Sequence, residues 1–357
     1  MTRTLIRPTA FVDSPFGFDG QVARLAGGLS WFAAVELIQV DGHKRTGSEL
    51  VSVADLDPND DALATSWQRL TAPRSPLQLA GRTIQLDQPR VMGIVNATPD
   101  SFSDGGRFAD SHAAIDAGVD MAAGGAAIID VGGESTRPGA THVWEGDEIE
   151  RVVPVIQRLA AGGQAVSVDT RKADVMRAAI DAGAAMINDV SALTFDQRSA
   201  EVVAAAGLPV VLMHHQGDPT TMQDNPRYDD VLVEIFLWLE ERIAAAEAAG
   251  IKREKILVDP GFGFGKNVAH NLELMNGLAL FHGLGCPLVV GASRKRTIGA
   301  LSNEAPADRR LPGSLAFALK AAEQGAHIIR VHDVPETVQA LKVWRGMRDQ
   351  ALTPRVS

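Results

Sequence analysis

The sequence predicts an α/β protein, a (β/α)8 TIM barrel preceded by a small α/β N-terminal extension. Three observations predict it. From about Arg90 onward, short Val- and Ile-rich runs alternate with stretches of helical periodicity. Eight such units fill roughly 265 residues, the usual extent of a closed barrel. Polar residues crowd the C-terminal ends of the runs, where barrels place their chemistry. A doubly wound open sheet is the rival architecture, but it normally uses fewer strands.

The elements follow in chain order. Residues 1–86 are expected to form an accessory α/β domain. It carries strand-like segments at 35–40, 49–53 and 83–86, a helix over 61–70, and a link at Pro73-Arg74-Ser75-Pro76. No catalytic motif is visible there. Its apolar run from Leu29 to Val35 must be buried, on the barrel's outer wall or its N-terminal face. Residues 87–357 are expected to form the barrel, with strands at 91–95, 127–131, 165–168, 185–190, 209–213, 255–258, 288–292 and 327–331. These runs lack polar alternation, as expected for strands covered on both faces. Between them, Leu232, Ile235, Phe236, Leu239 and Ile243 share one helical face, and Val334, Val338, Leu341 and Trp344 line the last helix. Gly124, Gly162, Gly183, Gly207 and Gly250 stand where helix ends are expected.

Composition narrows the function. The 357 residues are 45% hydrophobic and 22% charged, with 34 basic against 44 acidic side chains and a net charge of −10. Such a balance argues against a nucleic-acid binder, yet leaves room for a local cationic pocket. Cys286 is the only cysteine, so no internal disulfide can form. The chain has no membrane-length apolar run and no signal-peptide core at its start. A soluble, cytoplasmic protein is expected.

The strand-end residues fall into three chemical groups. Asp169, Asn188 and Asp259 supply acceptors and an amide suited to the donor-rich edge of a heterocycle. Singly, each is better read as a turn or cap residue; together, at the ends of strands, they read as a site. Arg137, Lys295, Arg330 and His332 form a potential cationic cluster for a phosphate or pyrophosphate, rather than scattered surface ion pairs. The loops after the first two strands, 96–106 and 132–139, are rich in glycine and small residues. At about eleven residues, the first exceeds an ordinary βα connection and reads as a lid. No Ser-His-Asp or Cys-His set is credible. His214 and His215, as neighbours on a strand, are expected to face opposite ways and not to share a metal. Cys286 is expected to be an inert, packed thiol.

Five motifs, in order, are similar to those of the dihydropteroate synthases. They are Met92 to Gly106, Asp130 to Gly139 (with Ser135-Thr136-Arg137-Pro138), Asp259-Pro260-Gly261-Phe262-Gly263-Phe264-Gly265-Lys266, Ser293-Arg294-Lys295 and Arg330-Val331-His332-Asp333. The resemblance spans about Arg90 to Gln350 and leaves out the first 86 or so residues. It implies a transferase of folate biosynthesis that condenses a dihydropterin methyl diphosphate with p-aminobenzoate, releasing pyrophosphate. It also implies that Asp169, Asn188 and Asp259 hold the pterin edge with Asp130 nearby, that Met213 packs on the ring, and that Lys295 and Arg330 reach its carbonyl side and face. Asn96, Arg330 and His332 would hold the pyrophosphate, Asn96 with Mg²⁺ as cofactor. Thr136, Arg137, Pro138, Phe264 and Ser293 would line the p-aminobenzoate pocket, Ser293 at a helix N-terminus. Arg330, His332, Asn96 and Lys295 would carry the catalysis. The partners implied are these small molecules and a second copy of the chain in a homodimer, with no nucleic acid or membrane. A pterin-binding corrinoid methyltransferase and a binding-only homologue remain the alternatives. The first would not need the Ser-Thr-Arg-Pro loop, Ser293-Arg294-Lys295 or the Arg330–His332 pair, and the second should have lost some of the cationic or loop residues.

Overall fold

A strand pairs across a sheet only where its backbone donors are free. Pro8 therefore places the first strand on an edge, and sequence periodicity alone passed over it. In the computed structural model, which describes residues 2–98, 106–135, 142–217 and 222–353, that strand is β1 (Thr2–Val12). It pairs antiparallel with one side of β3 (Trp31–Asp41). The other side of β3 takes the short β2 (Ala23–Arg24) and then β4 (Lys44–Ser52). Helix α1 (Ala64–Thr71) covers one face of this sheet, where Leu56, Leu63 and Leu70 pack against Ile6, Phe32 and Val35. A separate hairpin follows, β5 (Leu77–Leu79) with β6 (Arg82–Ile84).

The eight expected barrel strands all form. In order, with their helices, they are β7 (Arg90–Asn96), α2 (Gly106–Ala123), β8 (Ile128–Gly132), α3 (Glu145–Ala161), β9 (Val166–Asp169), α4 (Ala173–Asp181), β10 (Met186–Asp189), α5 (Ser199–Ala206), β11 (Val210–Met213), α6 (Val231–Ala248), β12 (Ile256–Asp259), α7 (Val268–Asn276), β13 (Val289–Val290), α8 (Arg296–Leu301), α9 (Leu311–Glu323), β14 (Ile328–Val331) and α10 (Val334–Ala351). All pairings are parallel and sequential from β7 to β12, with β14 joining β7 to β13. A parallel bridge between Val258 and Leu288 closes the ring between β12 and β13. An open doubly wound sheet has two free edges and is thereby excluded.

Two cores follow from the alternation of strand side chains. Outward residues such as Val95, Val131, Val168, Ile187 and Leu212 pack beneath the helices, including Leu232, Ile235, Phe236, Leu239 and Ile243 of α6. Inward residues near the strand starts, Met92, Ile128, Met186, Val211, Leu257, Val289 and Ile328, form a second cluster. Leu77, Leu79, Ile84 and Leu86 from the hairpin region cap it, so the N-terminal mouth of the barrel is stoppered.

The β1–β4 sheet lies instead on the outer wall, against α6 and residues 278–284. Ion pairs pin it there. Arg3 meets Glu240 at 2.6 Å, and Arg45 bridges Glu36 of the sheet to Asp230 at the start of α6. Arg74 sits in the link and donates to the carbonyls of Ala72, His282 and Cys286. Cys286 is buried, and burial pushes its thiol up to about 11, so it is inert at neutral pH.

Candidate active site

At the C-terminal end of the barrel interior, five strands place polar side chains where an apolar core would otherwise continue. Asp130 on β8, Asp169 on β9, Asn188 on β10 and Asp259 on β12 are all buried. Arg330 on β14 crosses the interior. Its Nε donates to Asp130 Oδ2 at 2.6 Å and its Nη2 to Asp169 Oδ2 at 2.6 Å. Asn188 Nδ2 donates to the same Asp130 oxygen at 2.9 Å. Asp169, Asn188 and Asp130 are thus joined through Arg330 and the Asn188 amide, while Asp259 of the predicted trio stands near the guanidinium without a hydrogen bond to the group.

The network is incomplete on one side. Asp130 Oδ1 and Asp169 Oδ1 are buried and have no hydrogen-bond partner among the described residues. Such acceptors are costly unless a donor reaches them, which marks the surface where a donor-rich ligand fits. Burial raises Asp169 to about 7, against the pull of Arg330. Burial also raises Asp259 to about 6, opposed by the Gly261 N–H, which donates to its Oδ1 at 2.7 Å, and by Lys295. Burial works against the charge on Arg330, but Asp130 and Asp169 outweigh it and hold the guanidinium proton more tightly. Gly291, after β13, leaves open the space beside Asp259 and Arg330. A Cβ there would stand 3.7 Å from Asp259 Oδ2 and 3.9 Å from Arg330 Cβ. Met213 ends β11 beside Asp259 and is buried. Asn96 ends β7, paired in register with Gly132.

A second group stands beside the first. Lys295 Nζ lies 4.1 Å from the ring centre of Phe264, at cation–π distance. Ser293 Oγ lies 3.1 Å from His332 Nδ1 and accepts from the His332 N–H at 3.3 Å. The next residues repeat the tie, since Arg294 Nε donates to Asp333 at 3.0 Å. Ser293 was expected at a helix N-terminus. It lies two residues before Lys295, the cap of the six-residue α8, and its hydroxyl engages His332 instead. Thr136, Arg137 and Pro138, with the lid segment 99–105, lie outside the described residues.

Other groups emerge only in three dimensions. Glu134 accepts from the Val143 N–H at 2.9 Å, closing the base of the loop after β8. Burial disfavours its charge, yet that N–H with Lys172 and Arg171 holds its carboxyl below the usual range. Lys172 is buried between Glu134 and Glu148. Lys266 is buried beneath the loop after β12 and reaches His214. The motif displays Lys266 in sequence, but nothing local indicates its direction. His214 and His215 do not ride on a strand with opposed faces. They follow the end of β11, and both rings approach Trp238, with centroids 4.8 and 6.1 Å away. Among the described residues no three His, Cys, Asp or Glu side chains group to hold a metal.

Closed barrel, buried acids and crossing arginine define a site for a flat, donor-rich heterocycle, and the pterin binding enzyme family model matches residues 92–332. The Escherichia coli (strain K12) dihydropteroate synthase is 52% identical over 264 residues, covering 74% of this chain and 93% of that protein. The Xanthomonas albilineans dihydropteroate synthase, solved with 4-aminobenzoic acid, is 50% identical with a TM-score of 0.74, covering 78% of this chain and all of that one. The Yersinia pestis dihydropteroate synthase, solved with a sulfonamide drug complex, is 48% identical with a TM-score of 0.73, covering 77% of this chain and 99% of that one. The chain belongs to the pterin-binding enzymes and, among them, to the dihydropteroate synthase family of transferases.

Proposed function

We propose that this barrel condenses (7,8-dihydropterin-6-yl)methyl diphosphate with p-aminobenzoate, giving dihydropteroate and pyrophosphate. The observation that carries the reading is the pair of orphaned buried oxygens on Asp130 and Asp169 beside Asn188 and Arg330. A pterin edge carries an amino group and a ring N–H, the donors that such acceptors lack. A Xanthomonas albilineans enzyme of 48% identity was solved with 7,8-dihydropteroate, which supports the assignment.

The chemistry needs no protein nucleophile. The C–O bond to pyrophosphate breaks ahead of amine attack, leaving a pterin cation that the amine of p-aminobenzoate captures. Arg330, His332 and Lys295 offset the charge gathering on the departing pyrophosphate. Phe264 and Ser293, with Thr136, Arg137 and Pro138, hold p-aminobenzoate in line. Sulfonamides would compete at that pocket, by analogy with the Yersinia pestis complex. Asn96 offers a single neutral oxygen, which suits a magnesium ion that keeps its waters and is carried by the substrate's phosphates. Magnesium would supply charge neutralisation on the leaving group.

We also infer a homodimer and a cytoplasmic location. Val343 and Met347, one turn apart on α10, are 60% and 62% exposed, which supports a partner surface. Among the described residues no helix is long and apolar enough to cross a membrane.

Pyrophosphate release tests the reaction. Release should require p-aminobenzoate and Mg²⁺. Methyl transfer from a folate without pyrophosphate would indicate the methyltransferase alternative, and ligand binding without turnover the binding-only one.

A further inference from the structure

The loop leaving β12 presents Phe264 beneath Lys295, yet its composition makes it intrinsically loose. Gly261, Gly263 and Gly265 all adopt positive φ, at +72°, +80° and +65°. Two of them are required by close approach. A Cβ on Gly261 would stand 1.9 Å from the His214 carbonyl oxygen, and one on Gly265 would stand 2.5 Å from that of Gln216. Glycine makes the path possible but does not hold it.

Four of the loop's carbonyls are held by side chains. Gln223 Nε2 donates to Gly263 O, and Tyr228 Oη donates to Gly265 O at 2.9 Å. Two further carbonyls of the loop converge on one side chain. Lys266 Nζ donates to Gly261 O at 2.9 Å and to Phe264 O at 3.0 Å. Its third contact is His214 Nδ1 at 2.9 Å, in the segment that leaves β11. His214 is itself fixed, its ring edge-on to Trp238 and its backbone N–H on the Asp259 carbonyl at 2.9 Å.

Lys266 is buried, and its hydrogen bonds go to two carbonyls and an imidazole rather than to a carboxylate, with the charge of Asp259 acting on it from farther off. Burying a lysine without a direct ion pair costs roughly several kcal/mol, and an apolar side chain of similar length would fill the space at less cost. What an apolar side chain cannot do is draw three acceptors from two elements onto one tetrahedral donor.

We infer that Lys266 is a positioning residue of the p-aminobenzoate pocket, fixing the carbonyls of Gly261 and Phe264 and the imidazole of His214 so that the Phe264 ring stands beneath Lys295. This rests on the reading that Phe264 walls that pocket. The substrate does not meet Lys266; it meets the ring that Lys266 orients. The effect should therefore be selective. Of the pterin-edge residues, Asp130, Asp169 and Asn188 lie on other strands, and Asp259, which ends β12 and accepts from the Gly261 N–H, is set by that strand; none of the four makes a hydrogen bond to Lys266.

The test compares Lys266→Met with Phe264→Ala in the full-length chain. Steady-state kinetics would give KM for p-aminobenzoate, inhibition would give the sulfonamide constant, and calorimetry would give pterin pyrophosphate affinity. Lys266→Met should raise the p-aminobenzoate KM and the sulfonamide constant together, by about tenfold, the effect of one or two lost hydrogen bonds. Pterin pyrophosphate affinity should stay within about threefold. Lys266→Gln, which keeps a donor, should fall between and carries the test if the Met variant does not fold. Equal weakening of both substrates, or failure of both variants to fold, would overturn the inference in favour of a purely structural lysine. A p-aminobenzoate KM raised by Phe264→Ala but not by Lys266→Met would overturn it while leaving the pocket in place. No effect from either change would remove Phe264 from the pocket itself.

Discussion

Asp259 shows how one buried acid couples binding to stability. Its oxygens accept, whereas an amide at the same place would turn an NH₂ toward a ligand's donors. Asp259→Asn should therefore weaken pterin binding by roughly 2–4 kcal/mol, measured by calorimetry. The same carboxyl stands at about 6 in the folded protein against an ordinary 3.8. Its sign is that of a raised acid. The folded state holds a proton that the unfolded chain has lost, so the associated stability is full below about 3.8 and lost as pH rises through about 6. Without ligand, Asp259→Asn should thus raise the thermal midpoint relative to wild type, and more at pH 8 than at pH 5. A difference that shrinks over that range would place the Asp259 titration elsewhere. His332 acts on departing charge, so His332→Ala should lower turnover more than it raises the p-aminobenzoate KM. Equal changes in both would assign His332 to uniform binding.

Elements impose different demands on residues of one type. Gly261 in the loop after β12 has φ +72° and no room for a Cβ, while Gly346 in α10 has open space within 4 Å. Gly261→Ala combines strain with overlap against the His214 backbone and should cost about 3 kcal/mol or more, with loss of binding at both subsites. Gly346→Ala adds helix propensity alone and should stabilise by about 0.5–1 kcal/mol. Paired melts of the two variants check this, and a harmless Gly261→Ala would mean that the loop takes another path. The loop after β8 is anchored in a different way, by Glu134, Lys172 and Glu148, with Glu148 buried at the base. The two site loops thus rest on separate foundations, one a lysine on carbonyls and the other a lysine between carboxylates.

For the whole molecule, the first 86 residues divide in their work. The β1–β4 sheet lies on the outer wall, whereas Leu77, Leu79, Ile84 and Leu86 stopper the barrel mouth. We propose that the accessory unit ends near Ala72 and that the hairpin belongs with the barrel. Removing residues 2–72 should leave turnover per folded molecule largely intact while lowering the thermal midpoint, because Ala279 and its neighbours lose their cover. Extending the deletion through residue 86 should unfold the barrel, since it uncovers the inner core at Met92, Ile128 and Ile328. Turnover and circular dichroism on both truncations check this. A folded 2–72 deletion that loses pterin binding would show that the sheet supports the site.

The sequence by itself determined the eight strands, the closed barrel and the strands from which the chemistry projects. Buried parallel strands need continuous apolar runs, and barrel sites collect where those runs end, so both features are local. Asp169, Asn188, Asp259 and Arg330 were legible for that reason. Only the tertiary structure decided which groups meet. Arg330 and Asp130 are 200 residues apart in sequence, and no periodicity records that they share a hydrogen bond. Lys266 stands in plain view within a motif, yet its direction depends on three acceptors that the folded loop and the segment after β11 bring together. β1 stayed hidden because its proline breaks the usual signal and its burial comes from a partner strand, the barrel wall and helix α1. Ser293 falls two residues short of its helix, because helix starts depend on backbone angles that Lys295, not Ser293, supplies.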